Sequence, residues 1–144
     1  MIIETGPGGK KRVFVIHGHD LKQKENLRAI IDSLGAAPVI LQDETEPMAP
    51  MLSKFQREAD SCSCAIAILT PDDAMGNQHR ARQNVIFEIG WFCGRKGSER
   101  VLMLYRGTLD IPSDLAGVDH QKFANDVREC AEAIAKFLHR IGVI

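Results

Sequence analysis

The sequence predicts an α/β protein with a flavodoxin-like, four- to five-stranded parallel sheet and helices on both faces. Two observations predict this class. Short apolar runs such as "VFVI" and "CAIAIL" alternate with longer segments in which apolar residues recur every three or four positions. Continuous apolar strands are typical of a parallel sheet that is covered on both faces. Alternation of strand and helix then requires right-handed crossover connections.

The first strand and helix are predicted after a glycine-rich, flexible lead-in over residues 1–11. "RVFVIHG" is a short β-branched run that ends in glycine, which indicates a buried strand. Asp20 can cap the following helix, with Gln23 completing a capping box. Gly35 ends this helix. Its apolar stripe has helical spacing and comprises Leu27, Ile30, Ile31 and Leu34.

The second and third strands are predicted at "APVILQ" and "CAIAILT". Between them lies a polar, proline-marked loop from Asp43 to Pro50. Pro50 suits the first turn of a helix that runs to about Asp60. The segment "PDDAMGNQHR" that follows the third strand is predicted to be a loop.

The remaining elements are a third helix over residues 81–97, a fourth strand at "RVLMLY", a short fifth strand around Val118 and a last helix. "RGTLDIPSDLAG" is a loop with turn chemistry at Pro112, Ser113 and Asp114. The last helix carries one apolar face, formed by Val127, Cys130, Ala131, Ile134, Leu138 and Ile141.

Length and composition exclude several classes. The 144 residues suit one domain, expected over residues 12–144, and 18 basic against 19 acidic residues favour neither nucleic acid nor acidic lipid as a partner. No stretch of about 18 apolar residues predicts a membrane span, and the opening residues lack signal-peptide order. A cytoplasmic protein is therefore expected. Its four cysteines are expected to be reduced thiols, without a disulfide or a zinc site: Cys62, Cys64, Cys93 and Cys130.

Ligands of such sheets bind beyond the carboxyl ends of the strands. The loops there are "HGHD", "DETEPMAP", "TPDDAMGNQHR" and "GTLDIPSDLAG", none of which has GxGxxG or P-loop spacing. A metal site at His17 and His19 is not expected, because their spacing sends them to opposite sides of an extended strand.

The third helix carries one acid, Glu88, in an otherwise apolar segment. At 100° per residue, one face turns towards the sheet, formed by Val85, Ile86, Ile89, Phe92 and Cys93. Phe87 and Trp91 lie on the opposite side, which another element or another chain should cover. Glu88 lies at the border, and no residue one turn away from it is cationic. A carboxylate in such surroundings costs stability unless it is used or satisfied.

Two interpretations of Glu88 follow from the residues. It is either a structural acid that reaches water or caps a backbone group, or the acid of an active site. Asn84, one turn earlier, could share a cleft with it, and Arg82 should lie at the start of the helix. The pattern alone therefore defines a candidate site.

Four segments of the chain resemble the TIR-like domains of bacterial anti-phage effectors that cyclic nucleotides control in CBASS and Pycsar systems. They are "VFVIHGHD", "AIAILTPDD", "RARQNVIFEIGWFCG" and "RVLMLY…IPSDLAG", within about Arg12 to Gly117. The combination of "TPDD" with "ARQNVIFEIG" is the most specific part. The resemblance implies a flavodoxin-like TIR fold.

The resemblance also implies an NAD+ glycohydrolase, which splits the nicotinamide–ribose bond and uses NAD+ as substrate, with no cofactor. Glu88 matches the catalytic glutamate of the family, while Arg82 and Asp114 match positions that support the substrate site. The "HGHD" loop, with His17 and Gly18, lines the same pocket. Asn84 and Trp91 are further candidates for substrate contacts.

One acid is enough for this chemistry. O-glycosidases need a second carboxyl group to protonate the leaving alkoxide. Nicotinamide leaves from a pyridinium and departs neutral, so it needs no proton. A single carboxylate facing the developing oxocarbenium charge meets the main requirement.

The chain departs from the family pattern in "DETEPMAPMLSKF", where relatives carry a glycine and a Thr-Ile-like pair. In the family this loop helps TIR domains to stack, and stacking often completes the active site. Self-association through TIR–TIR contacts is therefore an expected partner interaction. The 144 residues leave no room for a cyclic-nucleotide sensor, which would belong to a longer chain or to a separate STING-like protein. A non-catalytic TIR–TIR module, and nucleotide binding or nucleoside-glycosyl transfer, remain alternatives.

Overall fold

The structure is a computed structural model that describes residues 5, 7–41, 51–71, 73–75, 78–80 and 83–144. Its strands and α-helices are, in chain order, β1 Arg12–Ile16, α1 Leu21–Ser33, β2 Ala37–Val39, α2 Met51–Asp60, β3 Cys64–Leu69, β4 Asp73–Met75, β5 Gln78–Arg80, α3 Gln83–Lys96, β6 Val101–Tyr105, β7 Asp119–Lys122 and α4 Ala131–Arg140. Short 3₁₀ helices lie at Pro7–Gly9, Ser98–Arg100, Ser113–Gly117 and Val127–Cys130.

Five parallel strands form the main sheet in the order β2-β1-β3-β6-β7. Leaving out β4 and β5, this is the flavodoxin-like order, because the chain winds one way from the first strand and then the other. The predicted parallel sheet is confirmed. So is the predicted fifth strand near Val118, which is β7 at the sheet edge.

Two hydrophobic clusters cover the two faces of the sheet. On one face, strand residues such as Val15 and Ile66 pack against α1 and α4. On the other, Phe14 and Ala67 pack against α2 and α3. All six residues of β3 are buried, as expected of a central parallel strand. The predicted helices on both faces are confirmed.

Helix α1 begins and ends as predicted, but the prediction of a capping box is wrong. Asp20 caps the helix, with Oδ1 accepting from the Gln23 backbone N–H at 3.2 Å. The Gln23 side chain does not return to the cap. It is buried, donates to the carbonyl oxygen of Asn125 at 3.2 Å and accepts from the N–H of Val127 at 2.8 Å. Gly35 ends the helix at φ 90°, a value that favours glycine.

The segment "PDDAMGNQHR", predicted as a loop, contains two short strands that pair antiparallel. β4 and β5 pair Asp73 with Arg80 and Met75 with Gln78. Two intervening positions of the Gly-Asn type are a hairpin signal. The flanking residues are too polar to show the apolar alternation that indicates a strand. Pairing satisfies backbone groups irrespective of side-chain polarity.

The ends of other elements differ in detail. β2 is shorter than "APVILQ" and stops at Val39. The last helix begins as a 3₁₀ segment over Val127–Cys130, so its phase shifts at the junction with α4. Ala131 is exposed as a result, although it was predicted on the apolar face, and Phe137 is buried instead. The predicted loop from Asp43 to Pro50 lies outside the described residues.

All four cysteines are free, and Cys62 and Cys64 pack into the cores on opposite faces of the sheet. Within the described ranges, no helix has the length and apolarity needed to cross a membrane.

Candidate active site at the carboxyl edge of the sheet

Helix α3 is fixed by the apolar stripe that the sequence predicted. Val85, Ile89 and Phe92 are at most 1% exposed and lie against the sheet. Ile86 and Cys93 are partly buried beside them in the same cluster. The predicted sheet-facing side of this helix is therefore confirmed.

The opposite side of α3 is covered in part by α2. The rings of Trp91 and Phe55 meet edge to face, with centroids 5.1 Å apart. Phe87 also approaches Phe55, at 6.4 Å, yet remains 55% exposed. Another element of the same chain thus covers Trp91, whereas much of Phe87 faces outwards.

The level of Glu88 along the sheet follows from a ring contact. Phe92 of α3 stacks on Phe14 of β1, with centroids 6.4 Å apart. Because the connection returns the chain from the carboxyl edge, the start of α3 lies towards that edge. Glu88 is four residues before Phe92, about 6 Å along the helix. Ile16 is two residues beyond Phe14, about 7 Å along the strand. The backbone of Glu88 is therefore level with the end of β1.

The direction of Glu88 follows from its position on the helix. Glu88 lies within one turn of both Phe92, which packs on the sheet, and Trp91, which contacts α2, so it lies at the border between these two sides of the helix. The side chain of Glu88 is half-buried. The aromatic residues on the adjoining parts of α2 and α3 are Phe55, Trp91 and Phe92. Asn84, one turn earlier, is exposed.

The loop after β1 approaches the same level. His17 and Gly18 directly follow Ile16 and are both half-buried. His17 Nδ1 lies 2.9 Å from the Gly18 carbonyl oxygen, which can only accept, so Nδ1 donates. His17 and Gly18 therefore lie at the carboxyl end of β1, the level at which helix and strand geometry place the backbone of Glu88.

Asp20, at the end of this loop, forms an ion pair with Arg106, a residue that was not predicted from the sequence. Its Oδ2 accepts a hydrogen bond from Arg106 at 3.0 Å. The Arg106 backbone N–H donates to the carbonyl oxygen of Leu69, which holds it at the end of β3. Its guanidinium lies over Phe123, 5.9 Å from the ring centroid. The sequence feature that indicates a role for Arg106 is its position directly after a strand, at the edge where ligands of such sheets bind.

Two further site residues were predicted, Asp114 and Arg82. Asp114 is exposed on the 3₁₀ helix Ser113–Gly117, in the connection from β6 to β7. Arg82 lies outside the described residues. Across the described ranges, no cluster of three or more His, Cys, Asp or Glu side chains could hold a metal ion.

A doubly wound parallel sheet with a half-buried carboxylate at its carboxyl edge defines the class: a flavodoxin-like domain with a candidate active site. Residues 12–125 match the family model described as "CAP12/Pycsar effector protein, TIR domain". The chain belongs to this family, which confirms the resemblance seen in the sequence.

Two curated relatives illustrate the match. YuaY of Escherichia coli (strain K12) is 38% identical over 114 residues, covering 75% of this chain and 38% of that protein. The Pycsar effector protein BcPycTIR of Burkholderia cepacia is 42% identical over 88 residues, covering 57% of this chain and 29% of that protein. The chain therefore spans less than half the length of these relatives.

A solved structure supports the fold. The Clostridium botulinum CMP N-glycosidase BcmB superposes with a TM-score of 0.57 and 16% identity, covering 89% of this chain and all of that one (100%). At this identity the likeness concerns the fold alone.

Proposed function

We propose that this TIR domain is an NAD+ glycohydrolase that cleaves the nicotinamide–ribose bond, and that it acts as an effector of anti-phage defence. The observation that carries the proposal is the position of Glu88. Glu88 is half-buried on α3, in the segment that matches the family model, and helix and strand geometry place its backbone level with the end of β1. Ligands of this fold class bind at that edge.

In the proposed reaction, the bond between C1′ of the ribose and the pyridinium nitrogen breaks. The bonding electrons go to nitrogen, so nicotinamide leaves neutral. Water adds to C1′ and loses one proton, giving ADP-ribose. The Glu88 carboxylate faces the oxocarbenium charge and accepts the water proton before passing it to solvent.

The surroundings of Glu88 suit this role. Three aromatic residues of α2 and α3 pack together near Glu88: Phe55, Trp91 and Phe92. Apolar side chains exclude water, and in a less polar medium a carboxylate stabilises a nearby cation more strongly. Substrate binding would displace water from the surroundings of Glu88 and so strengthen the stabilisation of the cation by the carboxylate.

The remaining candidates have supporting roles in the proposal. Arg82 and the "HGHD" loop with His17 and Gly18 place the diphosphate or the ribose. Asn84 and Trp91 contact the substrate beside Glu88. Asp114 supports the site from the β6–β7 connection.

Activation by self-association is the second part of the proposal. Leu52 of α2 and Phe87 of α3 are 51% and 55% exposed, and Phe87 approaches Phe55 of α2. A TIR–TIR contact that covers them would complete the substrate site. A cyclic-nucleotide sensor, in a longer chain or in a partner protein, would promote this stacking.

The test compares Glu88→Gln with wild type at high NAD+ concentration and with a crowding agent, following nicotinamide by chromatography. Glu88→Gln removes the charge and keeps the shape, so we expect at least about a 100-fold loss of rate. Glu132→Gln is the matched control, since Glu132 is an exposed acid paired with Lys136 on α4. Full activity of Glu88→Gln with an unchanged melting temperature would refute the assignment.

The second candidate function is a non-catalytic TIR–TIR interaction module. The exposure of Leu52 on α2 and of Phe87 on the helix that packs against α2 favours it, because exposed large apolar side chains can mark an interaction surface. The same assay separates the two functions. Oligomers without nicotinamide release, whose formation Phe87→Ser prevents, would support the module and exclude the enzyme.

A further inference from the structure

We propose that a cavity beside β6 and β7 binds a flat nitrogen heterocycle that carries an amide or amine N–H. This β6–β7 cavity has a volume of about 280 Å³. It is lined by Met103, Tyr105, Ile111, Pro112, Ser113, Leu115, Ala116 and His120.

The β6–β7 cavity is lined by other elements than the helix that carries Glu88 and Trp91. Its lining residues come from β6, β7 and the connection between them, with none from β1, α2 or α3. Met103 and Tyr105 lie in the carboxyl half of β6, towards the edge where ligands of such sheets bind. The proposal therefore does not rest on the proposed NAD+ cleavage.

The walls suit a flat apolar ring. Met103 and Leu115 are buried and form the inner wall, where a thioether adapts to the shape of a ligand. His120 pairs with Met103 across the strands, so both side chains lie on the same face of the sheet. The rings of Tyr105 and His120 lie 5.9 Å apart at 54°, forming an aromatic corner.

The polar groups of the cavity select for an N–H donor. His120 Nδ1 lies 2.9 Å from the Val118 carbonyl oxygen, and because a carbonyl only accepts, Nδ1 carries a hydrogen. In the neutral ring, Nε2 is then an acceptor. The hydroxyl groups of Tyr105 and Ser113 add two groups that both donate and accept.

Charge and volume narrow the ligand class. Among the described residues, no carboxylate, lysine or arginine lines the cavity, so a phosphate or carboxylate ligand would be desolvated there without a counter-charge. The volume lies just below the range of drug-sized pockets, which suits one ring or two fused rings. Nicotinamide and adenine both have this chemistry.

The experiment titrates nicotinamide and adenine separately into the ¹⁵N-labelled chain, up to about 10 mM, as expected for ligands with few atoms. We expect amide shifts at Tyr105, Ser113 and His120. Shifts with one compound alone would support the site and identify which base it selects. No shift with either compound, or shifts confined to α3, would overturn the proposal.

Two variants of His120 test the acceptor. A Gln amide reaches the position of Nε2, whereas an Asn amide reaches only that of Nδ1. We expect His120→Asn to weaken binding at least about 10-fold and His120→Gln to keep it within about threefold. His139→Asn, at an exposed position of α4, is the control. Wild-type affinity in His120→Asn would overturn the assignment. Glu88→Gln should leave this binding unchanged, so the two proposals fail independently.

Discussion

Arg106 donates a hydrogen bond from Nη2 to Oδ2 of Asp20 at 3.0 Å, which joins the end of β6 to the first turn of α1. β3 lies between β1 and β6, so the pair spans the carboxyl edge of the sheet. Asp20 therefore caps α1 and also links the end of the "HGHD" loop to Arg106. Its carboxylate has a structural use that the sequence pattern did not indicate.

Removing Arg106 should affect stability and, if the proposed function holds, substrate binding. We expect Arg106→Ala to lower the free energy of unfolding by about 1 kcal/mol, through the lost ion pair and ring contact. It should also raise KM for NAD+ more than it lowers kcat, because the loop after β1 loses its tether. Urea unfolding and steady-state kinetics measure the two effects.

Arg140→Ala is the matched control for this prediction. Arg140 pairs with Asp119 at 2.7 Å and lies over Phe137 at 5.6 Å, so it makes the same two kinds of contact away from the loop. Its unfolding cost should be similar and its KM unchanged. An equal rise of KM in both variants would contradict a tethering role for Arg106.

Gln23→Ala should cost about 2 kcal/mol of unfolding free energy, since it leaves the buried N–H of Val127 without its acceptor. Gln23→Glu should also destabilise, because a carboxylate cannot donate to the carbonyl oxygen of Asn125. Urea denaturation measures both changes. Gln121→Ala, at an exposed position of β7, is the control and should be nearly neutral. A neutral Gln23→Ala would show that this side chain contributes little to docking α1.

Acid should remove the stability that Asp126 provides. Hydrogen bonds from the Arg128 side chain and backbone lower the pKa of Asp126 to about 2. An unfolded Asp titrates near 3.9, so this stability is complete above that pH and is lost as the pH falls to about 2. The gap in unfolding free energy between wild type and Asp126→Asn should shrink over that interval. A gap that is the same at pH 6 and pH 2 would contradict the prediction.

Glu129 should also stabilise the folded protein at neutral pH and lose this contribution in acid. The backbone N–H groups of Ala124, Asn125 and Asp126 donate to its carboxylate and lower its pKa. The contribution of Glu129 to stability is therefore present above the unfolded pKa and lost in acid. In Glu129→Gln the free energy of unfolding should therefore fall less between neutral and acid pH than in wild type. The same urea titrations at several pH values measure this difference.

The cysteines should differ in reactivity. Burial raises the pKa of Cys62 to about 11 and that of Cys64 further, and both are 0% exposed. Burial also raises the pKa of Cys93, but that thiol is half-buried. Under native conditions iodoacetamide should therefore label Cys93 before Cys62 or Cys64, as mass spectrometry would show. In urea all should react, and early labelling of Cys64 would contradict the packing.

Local patterns predicted much of this protein. The alternation of apolar strands and amphipathic helices indicated the parallel sheet, and the spacing of Val85, Ile89 and Phe92 identified the side of α3 that faces it. These features depend on the periods of helix and strand, which are read directly from the order of residues. The motif around Glu88 indicated the family for the same local reason.

Tertiary structure decided what depends on distant parts of the chain. Gln23 fits a capping box locally but bonds to Asn125 and Val127, which lie about a hundred positions away. Arg106 meets Asp20, and His120 meets Tyr105 beside a cavity, only because crossover connections bring separate strands to one edge. Periodicity states which side of an element is apolar. The partners of its polar groups are set by packing, since buried donors and acceptors bond to whatever the folded chain places beside them.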